Sequence, residues 1–247
     1  MKIFYDHIYG NTTKYDIIYG LALAEVDKED QALDLGWTPM DAFFYQTDKQ
    51  LWIQARTTRI DLEKFFVKKK HRQYLKNGIT GKYYPDMNPW QEKCDEIFKK
   101  YCEYKGYDDH GSELIDKPYG NKDYFVYWYN DKIIGYTQLT RFRKSVVAGE
   151  FAWDYENPEL SLGTVAQNFE CTLYRDMRYL YYYSSYAYEN VCEYKSHYKG
   201  FQWWTGREWS EDKELFRSLL DKDGKVESLK DLYHRHKEYY KEILKNE

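Results

Sequence analysis

Two carboxylates set two residues apart, Asp154 and Glu156, stand just before Leu160-Ser161-Leu162-Gly163-Thr164, which opens a helical pattern carrying a third carboxylate, Glu170. Acids in that position can hold an ammonium group and then accept its proton. The same residues also solvate a loop or cap the next helix. Gly163 with Thr164 offers unobstructed backbone N–H groups at a helix start, a seat for an oxyanion or a terminal phosphate. Glu170, one or two turns further on, either faces the same cleft or is an ordinary exposed helix glutamate. Together these groups suit acyl transfer to an amine, which needs a deprotonated nucleophile, alignment, and a place for the oxyanion's charge. No Ser-His-Asp or Cys-His pattern stands out as a rival.

The elements that must position these groups follow from periodicity. Residues 124–129, 132–140 and 146–154 read as strands, the first two joined by a turn at Asn130-Asp131. A helix begins near Ser161 and a fourth strand covers 179–185. Three meander strands feeding one helix and a further strand is how a GNAT-type N-acyltransferase is assembled, although periodicity alone fits other α+β folds. Upstream, strands are expected at 3–9 and 15–22, a short helix at 27–35 stopped by Gly36, and a hairpin of 43–45 with 51–60. Asn88 is expected to cap a helix that has Pro89 at its first position and Gln91 completing a capping box. Trp90, Cys94, Ile97, Phe98 and Tyr101 then share a face that docks on the sheet. The polar stretch 106–122 is long enough for a lid. Its Asp108-Asp109-His110 trio lacks the partner ligands a metal needs. Downstream, 202–209 is an aromatic segment closing the sheet edge, Ser210 caps a helix to about 220, and a terminal helix starts at Ser228.

Several motifs keep register together: Phe151 to Asp154, the 160–164 run, Glu170, Tyr179-Leu180-Tyr181, Tyr194-Lys195 and Tyr198. From Lys132 to Tyr198 this run resembles the carboxy-terminal half of the arginyl- and leucyl-tRNA-protein transferases, enzymes that append an amino acid to a protein's N-terminus. Ala32-Leu33-Asp34-Leu35-Gly36-Trp37 and Arg59-Ile60 with Phe65 resemble their amino-terminal part. The resemblance implies aminoacyl-tRNA as co-substrate, a protein or peptide N-terminus as acceptor, and no further cofactor. It implies Asp154, Glu156, Glu170 and Tyr181 as catalytic residues, with Leu162, Gly163, Thr164, Tyr194 and Lys195 binding substrate. On this reading Tyr181 faces the cleft and Lys195 meets a phosphate or the leaving oxygen, while packing remains open for Tyr194. The sequence departs from the family in three places. Lys49, Trp52 and Ala55 stand where the family has its C-P-x-C-x-x-C cysteines, so no metal is expected. Thr140 replaces an aspartate, and Tyr183 replaces a glycine.

The net charge of −4 over 247 residues argues against a general nucleic-acid coat and allows only local basic patches. The densest is Lys68, Lys69, Lys70, His71 and Arg72; the second is Arg141, Arg143 and Lys144 around Phe142, which could stack on a base. Both are candidates to grip tRNA phosphates, and both would read the same as solvated charge. The cysteines, Cys94, Cys102, Cys171 and Cys192, form no C-x-x-C pair, which suits free thiols in a cytoplasmic protein. No signal core or membrane-length apolar run is present. The expected division is an α+β part over 1–80, a GNAT-like transferase over 81–210 and a helical extension over 211–247. Two other readings remain. An acyl-CoA N-acyltransferase would want Q/R-x-x-G-x-G/A at the helix start, where only Gly163 is present. A catalytically silent relative would bind tRNA or an N-terminus.

Overall fold

A computed structural model describes residues 2–11, 16–25, 28–40, 51–54, 56–72, 74–86, 89–106, 121–187 and 190–223. In chain order the elements are β1 (Lys2–Asn11), β2 (Asp16–Glu25), α1 (Glu29–Asp34), β3 (Trp37–Met40), β4 (Leu51–Gln54), β5 (Thr57–Asp61), α2 (Lys69–Arg72), β6 (Thr80–Pro85), α3 (Gln91–Lys105), β7 (Asn121–Tyr129), β8 (Lys132–Arg141), β9 (Ser145–Trp153), α4 (Leu162–Asp176), β10 (Tyr181–Tyr186), β11 (Phe201–Trp204), β12 (Trp209–Ser210) and α5 (Lys213–Asp223). The fold is α+β, a mixed sheet with helices against it. The chain divides into two compact units: Met1–Gly10 with Asp16–Ile60 and Tyr183–Glu247, and Asn11–Tyr15 with Asp61–Tyr182. Each unit draws on separate stretches of sequence. The proposed lid over 106–122, the Asn88 cap and the terminal helix from Ser228 lie wholly or largely outside the described residues.

In the first unit β1-β2-β4-β3 form a four-stranded sheet. The expected single strand over 51–60 is instead β4 and β5, which belong to different sheets. Both halves carry the same strand-like composition, so the sequence pattern runs straight through the break. Gly36 ends α1 at φ +77, and a Cβ there would lie 2.4 Å from the Trp204 ring. Both the left-handed backbone and the close ring require glycine. β5 pairs antiparallel with β11, which pairs with β12. α5 packs Phe216, Leu219 and Leu220 against Ala187, Phe201 and Trp203. Its cap is Asp212, whose Oδ1 accepts the N–H groups of Glu214 and Leu215 at 3.0 and 2.9 Å. Ser210, the expected cap, takes the N–H of Asp212 instead.

The second unit is built on β6 to β9, each strand antiparallel to the next. Asn130 and Asp131 have φ of 48 and 62, the paired left-handed residues of a tight hairpin turn joining β7 to β8. Side chains alternate across these strands, and each face has its own helix. On one face α3 buries Cys94 and Ile97 against Val126, Tyr136 and Ala152, with Phe98 and Tyr101 beside them. The docking stripe read from the sequence is therefore present; Trp90, at the cap position of α3, makes no side-chain cap bond, and Gln91 donates to Asp95 Oδ1 at 2.7 Å. On the other face α4 lies over Tyr127 and Gly135. Leu180 N–H donates to Lys144 O at 2.8 Å, so the chain returns from α4 to the starting end of β9. The meander, crossover helix and returning strand expected from the sequence are thus all present. No described helix is long and apolar enough to cross a membrane.

Candidate functional site

The candidate site lies where β9 ends and α4 begins. Asp154 N–H still donates to Ile134 O at 2.8 Å, which holds the residue against β8 after the strand proper has ended. The chain then turns through 155–160, with Asp154 Oδ1 accepting the N–H of Glu156 at 3.1 Å. Asp154 is half-buried and Glu156 exposed. The loop-capping bond does not exclude an acid–base role at Asp154, because one oxygen serves the turn and a carboxylate has further lone pairs.

Ser161 enters α4 at φ 51 and ψ 45, with no side-chain cap bond. A helix cap normally has extended backbone and lends its side-chain oxygen to the first turn. Ser161 does neither. Its carbonyl takes the N–H groups of Thr164 and Val165 at 2.9 and 3.2 Å. The N–H groups of Leu162 and Gly163 have no hydrogen-bond acceptor among the described residues. Open donors at the positive end of a fifteen-residue helix are of the kind that can receive an anion or a developing oxyanion. A Cβ on Gly163 would touch only the Phe151 ring at 3.6 Å, an ordinary contact. Gly163→Ala is therefore expected to hold or raise the melting temperature, by up to about 1 kcal/mol of stability. Any loss of ligand binding or turnover in that variant reports a methyl obstructing the N–H groups, measured on a protein that remains folded.

Glu170 is not where either reading put it. It is 1% exposed. Tyr127 and Tyr182 donate their hydroxyls to its Oε1 and Oε2, each at 2.5 Å. Burial raises its pKa, opposed by hydrogen bonds from Thr137, Tyr127 and Tyr182. Both oxygens face phenols inside the second unit, so Glu170 anchors α4 to the sheet and lines no open cleft. Nothing in the sequence signals the tyrosines as its partners. Tyr127 is 43 residues away and lies on a strand whose alternation shows only that one of its faces is buried.

The basic run does reach α4. α2 carries Lys69, Lys70 and Arg72 exposed around a buried His71, whose Nδ1 is 3.3 Å from Asn168 Nδ2. Asn168 also donates to Thr164 O at 2.7 Å, within the first turn of the helix. Lys68 is half-buried at the start of the same turn. The other basic candidate is elsewhere. Arg141, Arg143 and Lys144 sit at the starting end of β9, a nine-residue strand, so about 26 Å of strand separates them from Asp154. Arg141 is paired with Asp123 at 3.0 Å and with Asp86. Phe142, expected to meet a base, is buried. Arg143 and Lys144 are exposed.

Tyr181 begins β10 and is half-buried in the second unit. Tyr194 and Lys195 belong to the first unit. Tyr194 is 49% exposed and does not pack in the core. Lys195 points inward, donating to Ser184 O at 2.6 Å and Tyr186 O at 2.7 Å. Its ammonium closes the carbonyls of β10 and is not turned toward a phosphate, and burial lowers its pKa. Of the two single-residue differences from the transferases it resembles, Thr140 takes a hydrogen bond from Lys122 at 2.8 Å. Tyr183 is fully buried, with its hydroxyl on Leu33 O at 3.1 Å and on an Arg59 N–H at 3.2 Å. Cys94, Cys102, Cys171 and Cys192 are free thiols.

By its order of elements, three-stranded meander, crossover helix, returning strand, the chain has the α+β architecture of a GNAT-like core. No protein-family model and no curated protein sequence matches it. Among solved structures it is similar to FemX at 13% identity, covering 68% of this chain and 62% of that one, with a TM-score of 0.46. It is also similar to L-PGS from Bacillus licheniformis at 13% identity, covering 68% and 53%, with a TM-score of 0.43. A third is a GCN5-related glucosamine N-acetyltransferase region of a fungal multi-domain GH3 β-N-acetylglucosaminidase, at 13% identity, 73% and 22% coverage and a TM-score of 0.41. The chain spans less than two thirds of the length of each of these three structures. At such scores the likeness carries no residue role, substrate or partner over to this chain.

Proposed function

We propose that this chain is a GNAT-like aminoacyltransferase that moves an amino acid from a charged tRNA to an amine, with the N-terminus of a protein or peptide as acceptor in the manner of the arginyl- and leucyl-transferases. The observation that carries the reading is the hydrogen bond between His71 and Asn168, which sets the exposed cations of α2 beside the helix whose first N–H groups are open. An ester on tRNA brings polyanion and acyl group together, and a basic segment adjoining an oxyanion seat meets both. Asp154 is the group proposed to hold the incoming ammonium and accept its proton, with Glu156 adding negative charge. Glu170 positions α4 from within. The donor is itself the activated species, so no cofactor is required.

The test is transfer of labelled amino acid from a mixed pool of aminoacyl-tRNAs to a peptide with an acidic N-terminus, with immobilised CoA as the competing arm. Transfer without CoA retention supports the proposal, and retention on CoA with no transfer from any charged tRNA removes it. Lys69→Gln, Lys70→Gln and Arg72→Gln together are expected to weaken tRNA binding uniformly across tRNA species. They should also flatten its salt dependence by roughly one unit of log–log slope for each phosphate no longer neutralised. A triple variant with an unchanged salt slope would clear this segment of any part in tRNA binding.

A further inference from the structure

The larger sheet ends at β6, whose one neighbour is β7; both strands belong to the second unit. Which backbone groups of β6 face the open side follows from its register. Thr80 to Pro85 pair with Trp128 to Asp123 without a shift, and the pattern continues one step further, where Asp86 N–H donates to Lys122 O at 2.8 Å. Asp86 and Lys122 are thus a hydrogen-bonded pair, and in an antiparallel ladder such pairs alternate with pairs whose N–H and C=O groups point away. Counting back, Tyr84, Lys82 and Thr80 turn their groups toward β7, while Pro85, Tyr83 and Gly81 turn theirs outward. The proline agrees with this phase, because at an outward position the ladder asks for no N–H. Among the described residues nothing accepts from the N–H of Gly81 or Tyr83, and nothing donates to the C=O of Gly81, Tyr83 or Pro85.

An edge with this row of open groups is a template for one more strand. The charges beside it choose the occupant. Lys82 is exposed on the α3 side of β6, its Nζ 5.0 Å from the Trp128 centroid, and Lys76 is exposed in the turn just before the strand. Among the described residues neither has a carboxylate partner, whereas the acid at the far end, Asp86, is engaged by Arg141. A second copy of this chain suits the edge poorly. The antiparallel pairing that uses every outward N–H sets Lys82 directly opposite Lys82 of the other copy, and like charges so placed repel. An acidic extended segment meets attraction there instead. The edge is also placed for the amine. Thr80 pairs with Trp128, Trp128 with Ile133, and Asp154 N–H is held by Ile134 O, so the starting end of β6 is level with Asp154. A strand added outside β6 lies four strand spacings from β9, roughly 19 Å, which about six extended residues cross.

We infer that the free edge of β6 receives an acidic, extended segment of the acceptor protein as an added strand, parallel to β6, whose N-terminal residues leave at the Thr80 end and run across the end of the sheet toward Asp154. In a parallel pair Gly81 and Tyr83 each give one N–H and one C=O to the incoming strand. These main-chain bonds supply affinity for any extended sequence, and Lys76 and Lys82 supply the preference for acid. The inference deepens the transfer proposed above by naming what holds the acceptor. It rests on that reading for the segment's N-terminus being the amine that reacts.

The experiment is amide hydrogen exchange of the full chain, read residue by residue by NMR, with and without a peptide of about ten residues that alternates aspartate and valine behind a free N-terminus. In the free protein the amides of Lys82 and Tyr84 are expected to be protected and those of Gly81 and Tyr83 to exchange fast. Saturating peptide is expected to slow Gly81 and Tyr83 roughly tenfold or more. Gly81→Ala and Gly81→Pro both add a Cβ, 3.2 Å from the Tyr127 ring, but only the proline deletes the outward N–H. Gly81→Pro is therefore expected to bind the peptide roughly tenfold more weakly than Gly81→Ala, the worth of one main-chain hydrogen bond. Lys82→Glu is expected to weaken the acidic peptide and to favour the same peptide with lysine in place of aspartate. The inference is overturned if Gly81 and Tyr83 are already protected in dilute free protein, if the peptide leaves them unchanged, or if Gly81→Ala binds as weakly as Gly81→Pro. Protection that grows with protein concentration alone overturns it in favour of a second copy. Exchange is read on the wild-type chain, so a Gly81→Pro protein that fails to fold leaves the test standing. The two readings also separate: protection of Gly81 and Tyr83 without transfer from any aminoacyl-tRNA sinks the transferase alone. Transfer to the peptide with both amides unprotected sinks the edge alone.

Discussion

Gly135→Ala is expected to lower the melting temperature by roughly 6–12 °C and to abolish the proposed aminoacyl transfer. A Cβ on Gly135 would lie 2.5 Å from Leu162 Cδ2, 2.9 Å from Ala152 O and 2.9 Å from Trp153 Cβ. One of these neighbours is backbone in β9, paired with β8 on the other side of the same register, and it cannot move aside without opening the ladder. Leu162 is the first residue of α4 and fully buried. The added methyl must therefore lift the start of the helix away from β8, where Asp154 is held by Ile134 O. Overpacking against fixed neighbours costs about 3 kcal/mol, and for a chain of this size each kilocalorie moves the melting point by roughly 2–4 °C. The comparison with Gly163→Ala is the informative one. The two glycines serve the same helix start, but only Gly135 has no room for a side chain. Thermal melts of the two variants should separate clearly, and a Gly135→Ala protein that melts like wild type would mean α4 does not pack on β8 as described.

What the sequence made legible was local. Asn130-Asp131 marked the β7–β8 turn because two adjacent residues able to take positive φ are a short-range signal. The α3 face was readable because Cys94, Ile97, Phe98 and Tyr101 recur at helical spacing and the helix packs as that spacing demands. Caps were less readable. Asp212 and Ser210 are both good capping residues two positions apart, and only the backbone path decides between them. The start of α4 was located correctly, but its open N–H groups follow from the left-handed Ser161, a conformation serine adopts rarely and no pattern announces. The partners of the candidate residues were not legible at all. Glu170 and Lys195 are polar residues at positions that resemble substrate-facing ones. Their inward orientation comes from Tyr127, 43 residues from Glu170, and from Tyr182 and the carbonyls of β10, which lie on the next strand or across a loop and are marked by no local pattern. His71 meets Asn168 across 97 residues. Composition could label the run around it as basic, but not say which helix it would lie against.

The interior acid gives the other large effect. Glu170→Ala is expected to cost about 3–5 kcal/mol, because it empties a packed volume and leaves the hydroxyls of Tyr127 and Tyr182 facing no acceptor in a buried site. Glu170→Gln is the sharper probe. Burial raises the folded-state pKa of Glu170 above its ordinary 4.5, so folding favours the protonated acid. Its contribution to stability is then complete below pH 4.5 and is lost as pH rises through the folded-state value. The neutral amide has no such loss. The stability difference between Glu170→Gln and wild type should therefore shift in favour of the variant as pH climbs from 4 to 8. Asp123, whose pKa burial also raises, is common to both proteins and cancels in the difference. Denaturant melts across that range measure it directly, and a difference independent of pH would mean that Glu170 is as freely ionised in the folded chain as in the unfolded one. Turnover of the same variant bears on the chemistry. With both oxygens held by phenols and 1% of the residue exposed, Glu170 can act on a substrate only through the position of α4. Glu170→Gln should accordingly keep the proposed transfer within a few fold of wild type, whereas Asp154→Asn, at the proposed proton acceptor, should lower kcat by a hundredfold or more, the usual contribution of a general base. A stable Glu170→Gln protein that loses as much as Asp154→Asn would move the proposed proton-accepting role from the end of β9 into the core.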